Sequence, residues 1–110
     1  MLILLLRKMV NNMYAYSIFD DKASTFNTPF FALNDAAASR SFGRLTLDKD
    51  SMINYSPSDF HLYRVGEFDE VNGSFVQQPQ PKFVIHAMHY IATSLIDTAN
   101  DSDTVAQSAR

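Results

Sequence analysis

The sequence predicts an α+β fold in which a small antiparallel sheet, built from an N-terminal strand and a hairpin in the C-terminal half, packs on one or two helices. Three patterns predict it. Tyr14, Tyr16 and Ile18 alternate with the short Ala15 and Ser17, the period of a strand. Ala38, Phe42 and Leu45 recur at the spacing of one helical face. Asn72-Gly73 stands between two apolar runs, and Asn-Gly supplies the positive φ angles of a tight hairpin turn.

With 110 residues the chain has room for one domain, and 46% hydrophobic residues with nine Phe are enough for a core. Such a core is thin, so self-association is expected to be useful. The run Leu2-Ile3-Leu4-Leu5-Leu6, followed by Arg7 and Lys8, is far below the ~20 residues of a bilayer span. Its charges also lie on the wrong side for a secretory signal. Residues 1–12 read as an extension: the product of a mistaken start, an added edge strand or packing arm, or a membrane-surface anchor. Met9 and Met13 are alternative starts.

A strand follows from Met13 and ends at Asp20-Asp21. The connection Lys22 to Leu33 holds Pro29, which biases Thr28 away from helix, and Phe30-Phe31, expected to close one end of the core. Asn34 is a natural N-cap and Asp35 complements the helix dipole, so a helix is expected over Asp35 to Leu47. Gly43 weakens its middle by roughly 1 kcal/mol and marks a candidate close approach to a neighbour. Asp48, Asp50 and Asn54 suggest a polar turn. Phe60 to Asp69 reads as a strand and Ser74 to Gln77 as its return, joined by Asn72-Gly73 or by a four-residue loop from Glu70. Phe60, Leu62 and Phe68 fall on one face by alternation, and Tyr63 and Val65 on the other. Neither face is polar. Pro79 and Pro81 are expected to end strand pairing. Val84, Met88, Ile91 and Leu95 then recur at helical spacing, predicting an amphipathic helix over Phe83 to Thr98 and a candidate partner interface along that stripe. The domain is thus 13–98, and the small, polar residues 99–110 read as a disordered tail.

Catalytic signals are missing from the sequence. There is no cysteine, no G-x-S-x-G elbow and no glycine-rich phosphate loop, so no catalytic residue and no cofactor is assigned. His86 and His89 share a predicted helix face, but two ligands do not make a metal site. Asp48-Lys49-Asp50 lacks the glycine and closing glutamate of a calcium loop. Glu67 and Asp69 on one side of a strand read as solubilising charges. The net charge of −3 gives no global pull toward phosphate backbones. Arg40 and Arg44 share a helix face, however, and with Arg64 and a stacking Tyr63 they form a candidate nucleic-acid patch. Asp48 is the expected partner of Arg44.

The order Tyr16-Ser17-Ile18-Phe19-Asp20, Pro29-Phe30-Phe31, Asn34-Asp35, Arg40, Phe42, Leu45, then Pro57-Ser58-Asp59-Phe60, Leu62-Tyr63 and Gly66-Glu67-Phe68-Asp69 resembles the small nonstructural protein of gokushoviruses, single-stranded DNA bacteriophages of the microvirus family. The resemblance covers Met13 to Val76. It implies a protein made in the cytoplasm of the infected bacterium and absent from the mature virion. It also implies action in viral single-stranded DNA synthesis and packaging, through viral or host replication proteins and by candidate contact with single-stranded DNA. The alternative is a non-enzymatic interaction module, a homodimer or adaptor without DNA contact. No membrane partner is expected.

Overall fold

The computed structural model describes residues 12–96. Residues 1–11 of the expected extension 1–12 and the expected disordered tail at 99–110 lie outside the described residues, whereas Asn12 is described and begins the first strand. The fold is α+β, with one antiparallel sheet and helices on one of its faces. Strand β1 (Asn12–Asp20) is central. Strands β2 (Thr25–Phe26) and β3 (Phe30–Ala32) share its outer edge, separated by Asn27-Thr28-Pro29. Its other edge pairs with β4 (Phe60–Asp69), which in turn pairs with β5 (Phe75–His86).

Helix α1 (Asp35–Leu47) has the bounds the sequence predicts, because both end signals are local. Asn34 Oδ1 accepts the Ala37 N–H at 2.8 Å, and Asp35 occupies the first turn. The buried face comprises Ala38, Phe42, Gly43 and Thr46; Leu45, expected in the stripe, is exposed. Gly43 does mark a close approach. A Cβ there would lie 2.0 Å from the ring of Tyr90, which crosses α1 at that point. A short helix α2 (Met52–Tyr55), capped by Ser51, replaces the expected polar turn and delivers Ile53 to the core. The core joins Tyr16, Ile18, Phe60 and Leu62 of the sheet to Ala38 and Phe42 of α1, with Ala32, Ile53 and Ala87.

Two hairpins use the same four-residue loop. In each, an aspartate closes the strand and its Oδ1 accepts the second and third loop amides: Asp20 from Lys22 and Ala23, Asp69 from Val71 and Asn72. The fourth loop residue is left-handed in both, Ser24 at φ 55° and Gly73 at φ 76°. The loop from Glu70 to Gly73, not a two-residue Asn-Gly turn, is the one formed.

Three expectations are corrected by irregular pairing. Tyr16 faces Arg64 while Ala15 faces Gly66, so Val65 is an extra residue in β4. This bulge switches the alternation, and Phe68 joins Tyr63 on the face away from the helices. Pro79 and Pro81 do not end β5: Gly66 pairs with Gln77 and Arg64 with Lys82, so residues 78–81 bow outward on an edge strand, where missing amides cost no ladder bond. The terminal helix consequently begins later than Phe83. Helix α3 spans residues 87–96, and His86 caps it, Nδ1 accepting the Met88 N–H at 3.0 Å.

Candidate interaction surface

Residues paired across antiparallel strands point to the same side. The register therefore assigns each sheet residue to the helix face or to the opposite one. To the opposite face fall Ala15, Ser17 and Phe19 of β1, His61, Tyr63, Gly66 and Phe68 of β4, and Phe75, Gln77, Phe83 and His86 of β5. Phe26 and Phe31 join them from the outer edge. Six of the nine phenylalanines are thus on the side that no described helix covers.

These rings form two groups. Phe26, Phe19, Tyr63 and Phe83 make a row across β2, β1, β4 and β5, with successive centroids 4.8, 6.3 and 5.7 Å apart. Most contacts are edge-to-face, the favoured arrangement for aromatic quadrupoles. Gln80 and Pro81 from the β5 bulge line the groove beside them. At the other end Phe31 packs on Phe68 at 5.7 Å, and Phe75 lies over Gly66, where a Cβ would come within 2.5 Å of its ring. Phe26, Phe31, Phe75 and Phe83 are 44%, 51%, 52% and 53% exposed. No Lys, Arg, Asp or Glu of β1, β4 or β5 points to this face. Its ionisable imidazoles sit at one rim, where the His61 and His86 rings are 4.4 Å apart and His61 Nε2 meets Asp21 at 2.7 Å.

The helix face is different in character. Tyr16, fully buried, donates its hydroxyl proton to Asp35 Oδ1 at 2.7 Å. Burial first, and this hydrogen bond second, hold its phenol well above the ordinary tyrosine range. Arg64 is held on the same side by three neighbours: the Tyr14 ring at 4.6 Å, the Asp35 carboxylate at 3.7 Å and Gln78 Oε1, which accepts from Nε at 3.0 Å.

The four residues of the candidate nucleic-acid patch are therefore not brought together. Tyr63 stands in the aromatic row, Arg64 is engaged on the opposite face, and Arg40 and Arg44 are exposed on α1. Asp48 serves its own turn, accepting the Asp50 N–H at 2.9 Å. The stripe Val84, Met88, Ile91 and Leu95 is divided as well. Val84 is in β5 and packs against the core, whereas Met88 and Leu95 on α3 are exposed and Ile91 is half-buried. His86 and His89 do not share a helix, since His86 ends β5. Among the described residues no three His, Cys, Asp or Glu side chains converge as metal ligands, and no helix is long and apolar enough to cross a membrane. The aromatic face itself was not foreseen as a unit. Its signal was present in the alternating Phe19, His61-x-Tyr63 and Phe83, but the Val65 bulge hid the contribution of Phe68.

No curated protein and no solved structure matches the chain. A family model does, over residues 13–90, which take in β1 from Met13 through the first turn of α3 and so the sheet with both its faces. That span is well over half of the sequence, and the chain belongs to the Phage ORF5 protein family.

Proposed function

We propose that this phage protein is a non-enzymatic accessory factor in viral single-stranded DNA synthesis and packaging, acting by binding other components of the replication machinery. One observation carries the binding role: an aromatic sheet face that receives no charged side chain from β1, β4 or β5 and that the described helices leave open. Exposed apolar patches of this kind mark interaction surfaces, and depletion of charge with enrichment of aromatics is the composition of interface cores. The role in genome synthesis rests on the resemblance to the gokushovirus nonstructural protein and agrees with membership of a phage family. On this reading the protein works in the cytoplasm of the infected host and is left out of the virion.

The test is a phage with the gene interrupted. Duplex replicative DNA is expected at its normal level while single-stranded genomes fall; normal levels of both would remove the proposal. A second reading, direct contact with single-stranded DNA, is favoured by the exposed Arg40 and Arg44 one turn apart on α1. Fluorescence anisotropy of a labelled single-stranded oligonucleotide separates the two readings. Salt-sensitive binding lost in Arg40→Ala/Arg44→Ala supports DNA contact, and no binding at low salt leaves a protein adaptor.

A further inference from the structure

We infer that the aromatic sheet face is the interface of a two-fold homodimer, in which two copies of the chain pack sheet against sheet through Phe26, Tyr63 and Phe83 at one end and Phe31, Phe68 and Phe75 at the other. This inference gives the face that carries the proposed binding role to a second copy of the chain, so that replication components would meet the dimer on its outer, helix-bearing sides.

Thickness is the first ground. The shortest principal extent is 21 Å, the depth of one sheet plus one helix layer, so among the described residues the far side of the sheet has no second layer. Area is the second. Phe26, Phe31, Phe75 and Phe83 are each about half exposed. Together they offer on the order of 400 Å² of apolar surface. That is about half of the ~800 Å² per partner of a standard interface, before Phe19, His61, Tyr63 and Phe68 are added.

Charge selects the occupant. A face onto which β1, β4 and β5 direct no Lys, Arg, Asp or Glu, with Asp21 at its rim beside His61, offers a phosphate backbone no cation, and a charged peptide no counter-ion away from that rim. The same lack of charge is what an isologous contact needs, because each patch meets its own copy and any side chain near the axis meets its own charge. The sheet edges argue for face packing over strand addition. The β5 edge is interrupted by the bow at 78–81 with its two prolines, and the opposite edge by Asn27-Thr28-Pro29 between β2 and β3. Face packing also leaves both α1 helices, with Arg40 and Arg44, on the outside of the dimer.

The experiment is sedimentation equilibrium of the full chain at concentrations from about 1 to 100 μM, with Phe26→Asp/Phe83→Asp as the variant. Wild type is expected at twice the 12.4 kDa chain mass. In the double variant two carboxylates per chain would be buried in the interface, and self-association is expected to weaken by at least about 100-fold. Far-UV circular dichroism should stay the same, since both rings are half exposed already. Phe31→Asp, at the other end of the face, repeats the test if the double variant fails to fold. A wild-type chain that remains monomeric over the whole range overturns the inference, as does a dimer that survives both variants. A monomer whose Tyr63 ring resonances shift on adding oligothymidylate would also overturn it and assign the face to nucleobases.

Discussion

Tyr16 shows how one side chain connects the layers of this fold. Its ring is fully buried beneath α1, and its hydroxyl reaches Asp35 in the first turn of the same helix. The sequence predicts Tyr16 as a residue of an alternating strand and Asp35 as a complement to the helix dipole, and both roles hold. Their contact was not legible, because it depends on the crossing of α1 over β1. Since the fold favours the neutral phenol, the stability this group contributes is complete below the ordinary tyrosine pKa of ~10. It is lost as pH rises beyond that value, where the unfolded chain ionises and the folded one resists. Tyr16→Phe is expected to cost about 1 kcal/mol at neutral pH and to flatten the alkaline limb of a stability-versus-pH curve measured by urea unfolding. An unchanged alkaline limb would place the titration elsewhere.

At the scale of the element, the two hairpin loops carry an internal control. Both place their fourth residue in the left-handed region, one with Gly73 and one with Ser24. A side chain in that region costs roughly 1 kcal/mol or more, while glycine adopts it freely. Ser24→Gly is therefore expected to stabilise the protein by about 0.5–1 kcal/mol, read as a rise in thermal midpoint, and a fall would show that the Ser24 side chain makes a contact worth more than the strain. The second loop was half legible. Asn72-Gly73 marks a turn that fits a loop of two or of four residues, and the Asp69 side chain, by capping two loop amides, holds the longer form. Helix α1 was legible to the residue because its cap and its period are local. The last helix was not: Val84 lies at the right spacing from Met88, yet Val84 is pulled into β5 as a bulge between the pairs Leu62–Ile85 and Tyr63–Phe83.

At the scale of the whole molecule, the consequence of the topology is a sheet that, among the described residues, has one dressed face, one bare face and two blunted edges. The blunting of β5 depends on two residues that a composition-based reading takes for a strand end. Replacing Pro79 and Pro81 together by Thr would restore amides along an exposed edge, and the variant is expected to aggregate faster than wild type under mild destabilisation, as followed by light scattering. Equal aggregation rates would mean that the bow at 78–81 protects the edge without the prolines.

The sequence by itself determined the fold class, the existence of β1, β4 and the start of β5, the exact span of α1, and the lack of catalytic motifs, because each depends on periodicity, capping or residue type within a short window. Tertiary structure alone decided which side Phe68 joins, whether β5 survives its prolines, and that six phenylalanines meet on one face that no described helix covers. Those outcomes depend on pairing between strands far apart in the chain. A single bulged residue such as Val65 reverses the facing of every residue after it, and an edge strand keeps a proline that a central strand would reject.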